Sequence, residues 1–219
     1  MDRTRSRQEL DPDERWAEIA AARHALAAML ADLTRDEWEH ASLCSEWRVK
    51  DVAAHVAMTP AGEPTTWEMV TGLIRARGDL WGFGRDVAIA WAQRPTAEIV
   101  RTLRTGATSR SVPLGTNAAN LLLDVLVHTQ DIAVPLGRVH PVPPRAGLVS
   151  LRRAWRMGWP FHARKRLTGI SLVASDADVV LGSGPPVEAP LGSLLLLTTA
   201  RDPASVPSLT GPGVALLHR

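Results

Sequence analysis

Residues 117–137, NAANLLLDVLVHTQDIAVPLG, place three ionisable side chains inside a run of hydrocarbon. Leu121, Leu122, Leu123, Val125, Leu126, Val127, Ile132 and Ala133 cover nearly every face of one long helix. Such a helix is expected to sit among other helices rather than on a surface. Asp124 and His128 are spaced i, i+4, and His128 and Asp131 are spaced i, i+3, so all three project from one stripe. Burying a lone carboxylate is costly unless a cation, a metal or strong donors stand beside it. The segment therefore calls for a positive partner. Thr116 or Asn117 is placed to cap its start, and Pro135 with Gly137 to end it.

The stretch EWRVKDVAAHVAM, residues 46–58, supplies a candidate partner. It reads as a shorter amphipathic helix from about Val49 to Pro60, with Val52, His55, Val56 and Thr59 along one face. Two histidines and a carboxylate drawn from two helices have the composition of an open catalytic metal site, which leaves room for water or substrate. The spacing also allows a blander reading: a hydrogen-bonded core histidine at His55, and a hydrogen-bonded pair of Asp124 with His128.

WRVKDVAAHV, followed some way downstream by LLLDVLVHTQDIAVPLG, resembles the mycothiol-dependent maleylpyruvate isomerase family, within the wider DinB-like group of metal-binding four-helix bundles. LVASDADVVLGSGPPVEAPLGSLLLLTTAR and LTGPGVALL resemble the C-terminal part of that family, so the likeness spans nearly the whole chain. It implies a mostly α fold: a DinB-like four-helix bundle followed by a small α/β C-terminal region. It further implies a divalent metal, zinc foremost with nickel or iron as alternatives, held at His55, Asp124 and His128. Asp124 stands where the family carries Glu, one methylene longer. Asp131 becomes a neighbour that accepts from the free ring N–H of a ligand histidine, or it replaces Asp124 as the carboxylate ligand. Arg48 stands where the family tends to place a Ser or Thr cap, and Asp51 can still meet the helix dipole.

Mycothiol is the thiol cosubstrate that the resemblance implies, and the activity is that of an isomerase or an S-transferase acting on a small electrophile. Arg85, Arg101 and the arginines of the tail are candidate holders of substrate carboxylates. The alternative function is a non-catalytic metal-binding or dimerisation bundle, and a homodimer remains open.

Composition narrows the other classes. The chain has 219 residues, enough for a sizeable core, with 45% hydrophobic and 22% charged residues. Cys44 is its single cysteine, which excludes an intramolecular disulfide, and on sequence it reads as inert filler ahead of the His55 helix. The charged N-terminus lacks a signal-peptide core, and no long apolar run predicts a membrane span, so a cytoplasmic location is expected. Residues 1–137 hold 15 Lys/Arg and 19 Asp/Glu, whereas residues 138–219 hold 10 and 4. Much of the excess lies at Arg152, Arg153, Arg156, Arg164, Lys165 and Arg166, interleaved with Trp155 and Trp159. A solvated helix face followed by a linker explains this cluster without nucleic acid, for which no motif is present.

In chain order, helices are expected at 11–33, 49–60, 65–76, 85–91, 96–105, 117–134 and 145–159, with a short turn at 36–40. Gly78, Gly82 and Gly84 are expected to break the pattern around Trp81 and Phe83. The helix at 145–159 is expected to pack back on the bundle, which puts a domain boundary at 165: a DinB-like bundle over 1–165 and a small α+β domain over 166–219. Beyond it, ISLVAS and DVVLG read as a hairpin, GSGPP as a turn and 189–200 as a helix.

Overall fold

The computed structural model describes residues 9–75, 77 and 80–217. The chain forms two compact units, one of Asp13–Arg138 and one of Val139 onward with the segment before Asp13. The fold is mostly α, with a small three-stranded sheet near the C-terminus.

In the first unit, α1 (Pro12–Ala31) opens with Asp13 and Glu14 in its first turn, where carboxylates meet the positive end of the helix dipole. Ile19, Ala22, Leu26, Ala27 and Leu30 are buried along one stripe, together with Arg23. A short α2 (Arg35–Glu39) is closed by a Thr34/Glu37 capping box. The helix of His55, α3 (Val49–Ala61), packs against α2, α5 (Leu80–Trp91), α6 (Thr96–Thr105) and α7 (Ala118–Ala133), so it is the centre of this unit. Val49, Val52, Ala53, Ala54 and Ala57 are fully covered, and these small side chains let several helices approach α3 at once. α3 ends in Gly62, whose φ of +75° closes the C-cap. α4 (Thr66–Arg75) packs on α5.

α5 begins at Leu80 and runs through Gly82 and Gly84, so these glycines do not interrupt it as expected. Glycine weakens a helix interior by about 1 kcal/mol, which tertiary packing readily overrides. Gly78 lies outside the described residues.

The second unit contains α8 (Pro144–Arg156), a short α9 (Ala163–Arg166), the sheet, and α10 (Leu191–Thr198). β1 (Ser171–Ala174) is central, with β2 (Val180–Gly182) antiparallel on one side and β3 (Pro186–Ala189) parallel on the other. The β1/β2 hairpin corresponds to the ISLVAS and DVVLG runs. β3 covers Pro186, at the end of the expected turn, Val187 and Glu188, for which no element was expected, and Ala189, at the start of the expected helix. Pro186 is the first residue of the strand, where its missing N–H costs little. The free edge of β3 is met by Thr210 through reciprocal backbone bonds with Glu188.

α8 packs on α10 and α9, within this second unit. The compact units part at Arg138/Val139. The reason is visible in α8: its covered face is Ala146, Gly147, Ser150, Leu151 and Ala154, small enough for Leu191 of α10 to reach the Gly147 backbone. No helix among the described residues is long and apolar enough to cross a membrane.

Candidate metal centre

α7 is capped at Asn117, whose side chain accepts from the Asn120 N–H at 3.0 Å. From Leu121 to Ala133 every position is buried except Asp124 and His128, which are half-covered. That pair opens a slot in an otherwise apolar helix. On α3, His55 is half-covered between the buried Ala54 and Val56. Because α3 packs on α7, the three side chains converge. Asp124 Oδ1 lies 3.5 Å from His55 Nε2 and 3.3 Å from His128 Nε2. The two imidazoles meet edge to face with centroids 4.9 Å apart.

The carboxylate that is wholly buried is Asp131, with 0% side-chain exposure, whereas Asp124 keeps 33%. Of the ionisable groups expected inside this apolar helix, Asp131 is thus the one fully enclosed. Its Oδ2 accepts from His128 Nδ1 at 2.9 Å and from the Cys44 thiol at 3.1 Å. Cys44 Sγ stands 3.7 Å from the same ring nitrogen.

Two triads therefore share His128: His55, Asp124 and His128 on its Nε2 side, and Cys44, His128 and Asp131 on its Nδ1 side. Their distances separate them. Nitrogen and oxygen donors bound to one tetrahedral zinc at roughly 2.0–2.2 Å lie about 3.3–3.5 Å apart. The two contacts of Asp124 match that edge length and are long for hydrogen bonds. The 2.9 and 3.1 Å contacts of Asp131 are hydrogen-bond lengths. The two Asp124 contacts of the first triad are thus compatible with the spacing of metal ligands, while the contacts within the second are those of a hydrogen-bonded network.

The electrostatics follow from the same contacts. Partial burial pushes the Asp124 carboxyl up, but His128 and His55 outweigh it and hold the group well below the usual carboxylate range. Burial lowers His128, yet Asp124 foremost, with Cys44 and Asp131, holds its imidazole well above the ordinary value. His55 Nδ1 is buried without a hydrogen-bond partner among the described residues.

The loop at 41–48 completes the site. Ala41 bridges Arg48, and Ser42 Oγ donates to the Trp47 carbonyl at 2.8 Å while accepting from the Cys44 N–H at 3.1 Å. This brings the Trp47 ring to 5.2 Å from His55 and 6.2 Å from His128. Arg48 accounts for the absent Ser/Thr cap. Its backbone N–H donates to Asp51 Oδ2 at 2.9 Å, and its guanidinium grips both carboxylate oxygens.

Cys44, Trp47 and Arg23 are the residues that sequence reasoning missed. Arg23 is 2% exposed and donates to the Ala107 and Ser109 carbonyls at 3.1 and 2.8 Å. Burial pulls its pKa down and the charge of Asp124 pushes it back up. Its position was the available signal, since it follows Ile19 by four and precedes Leu26 by three. Of the arginines proposed for carboxylates, Arg85 pairs with Glu46 and Asp86, and Arg101 is exposed on α6.

Residues 19–111 match the family model described as the mycothiol maleylpyruvate isomerase N-terminal domain. Among solved structures, the chain is similar to the mycothiol-dependent maleylpyruvate isomerase, at 14% identity over 93% of both chains with a TM-score of 0.56. A histidine-to-alanine mutant of the mycothiol-dependent maleylpyruvate isomerase matches at 13% identity, with the same coverage and TM-score. No curated protein sequence matches significantly. At such identity the structural likeness establishes the fold. The likeness to the mycothiol maleylpyruvate isomerase N-terminal domain family is thus carried by residues 19–111, which include His55.

Proposed function

We propose that the chain is a metal-dependent enzyme that uses a small-molecule thiol, mycothiol by family likeness, to isomerise or S-transfer a small electrophilic substrate. The observation that carries this reading is the pair of 3.3 and 3.5 Å contacts from Asp124 Oδ1 to the two Nε2 atoms, a spacing suited to three ligands of one divalent ion, zinc in the first place. Nickel or iron would satisfy the same donors.

A divalent ion with an open position lowers the pKa of a bound thiol from about 8.5 and so makes a thiolate available at neutral pH. The chain's own residues prepare for that chemistry. Asp124 supplies one negative charge, and its two imidazole neighbours are held neutral when ligating. Asp131 keeps the Nδ1–H of His128 occupied, which directs Nε2 to the slot. Trp47 covers both rings from one side and limits the access of water. The partly exposed flank of Asp124 and His55 is where thiol and electrophile would enter.

Elemental analysis of the purified, zinc-reconstituted protein, run beside His55→Ala and His128→Ala, tests the reading. One equivalent of metal in the parent, lost in both variants, together with mycothiol-dependent turnover of a maleyl-type electrophile, is the expected result. Failure to bind metal after reconstitution would overturn it and leave a helical bundle with a hydrogen-bonded Asp124–His128 pair. One equivalent of metal with no thiol-dependent turnover would favour a metal-binding or dimerisation module.

A further inference from the structure

We propose that Cys44 is a positioning residue, whose thiol donates to Asp131 and so fixes the carboxylate that orients His128 toward the metal. The inference rests on the reading that His55, Asp124 and His128 hold the ion. Asp131 Oδ2 is a single oxygen taking two donors, Cys44 Sγ at 3.1 Å and His128 Nδ1 at 2.9 Å. The carboxylate has 0% side-chain exposure, so water does not replace a lost donor readily.

The backbone holds Cys44 in place by means that look unrelated to packing. Leu43 N–H donates to the Asp131 carbonyl at 3.1 Å, tying the loop to the same residue whose side chain the thiol meets. Trp47 N–H donates to the Cys44 carbonyl at 3.1 Å, and Glu46 takes a φ of +66° to close the turn. The Cys44 N–H and the Trp47 carbonyl both meet Ser42 Oγ. The turn thus delivers the thiol to one side of His128 and the Trp47 ring to its face. A cysteine acting only as filler would contact hydrocarbon, whereas this one contacts a carboxylate and an imidazole.

The orientation of a ligand imidazole follows from the acceptor on its other nitrogen, and loss of such a partner weakens metal binding by about 10–100-fold. Cys44 is one bond further out, so the lower end is expected. The test compares full-length wild type, Cys44→Ala and Cys44→Ser. Zinc affinity is read by competition with a chromophoric chelator, and the state of the His128 ring by long-range nitrogen–proton NMR. Cys44→Ala is expected to bind zinc roughly 10-fold more weakly and to lose the protected Nδ1–H signal of His128. Cys44→Ser, whose hydroxyl still donates, is expected to recover both, which a loss of packing alone would not allow.

Affinity within twofold of wild type in Cys44→Ala, with an unchanged His128 spectrum, would overturn the inference. If wild type itself binds no zinc, the underlying reading fails separately. The His128 spectrum of the metal-free proteins then decides the role of Cys44, since unchanged ring signals in Cys44→Ala overturn it and altered ones support it.

Discussion

His55 and His128 present the same ring to Asp124 from unequal settings. His128 is locked from behind by Asp131, while His55 Nδ1 is buried with no hydrogen-bond partner among the described residues. A ligand whose second nitrogen is satisfied keeps its orientation and basicity. His128→Ala is therefore expected to weaken zinc binding about 10-fold more than His55→Ala, read by chelator competition. The same setting fixes a pH dependence. Without metal, His128 stays protonated to above its ordinary value, and Asp124 is already a carboxylate throughout the working range. Zinc must displace the His128 proton, so apparent affinity should fall by about tenfold per pH unit below that raised pKa. An affinity flat across neutral pH would show that no proton leaves this ring. Asp124, His128 and Asp131 were legible because they share one helix, where spacing alone gives the face. Cys44 was not, since its proximity to Asp131 depends on a loop hydrogen-bonded to a helix 87 positions away in sequence.

At the scale of elements, local rules were legible wherever a cap or period carried them, as at Asn117. Asn117→Ala is expected to cost about 1 kcal/mol in chemical denaturation, through the orphaned first turn of α7. The capping box of α2 carries a pH signature. Glu37 accepts first from the Thr34 N–H at 2.7 Å and also from Arg138, and these bonds hold its carboxyl below the ordinary value. A lowered folded pKa contributes stability that is present above the unfolded value of about 4.3 and is lost as pH falls through the folded one. Thermal melts of wild type and Glu37→Gln should therefore differ at neutral pH and converge in acid. Elements that depend on distant partners were harder to read. β3 pairs in parallel with β1 although β2 lies between them in sequence, and the Pro185–Pro186 pair at its start reads as a turn. The glycines of α5 look like breaks because propensity is local, whereas the packing of α5 on α3 is not.

At the scale of the molecule, the charge asymmetry and the two units coincide: the acidic excess belongs to the part bearing His55, Asp124 and His128, the basic excess to the part bearing the sheet. Part of that basic cluster is structural, since Arg166 donates to the Leu197 and Thr198 carbonyls at the end of α10. A lesion confined to the second unit should therefore separate stability from metal binding. Gly184 is the place to make it. Its φ of +122° suits glycine, and a Cβ there would collide with the Gly169 carbonyl oxygen, which belongs to the backbone and cannot swing aside as a side chain would. Gly184→Ala is expected to cost about 3 kcal/mol or more, from left-handed strain and the clash together. His55, Asp124 and His128 all lie within Asp13–Arg138, so the folded fraction of this variant should still take one equivalent of zinc. Calorimetry beside elemental analysis reads both quantities. A lowered melting temperature with full metal content would assign the site to the first unit alone, whereas loss of metal in protein that remains folded would show that the second unit helps to hold it.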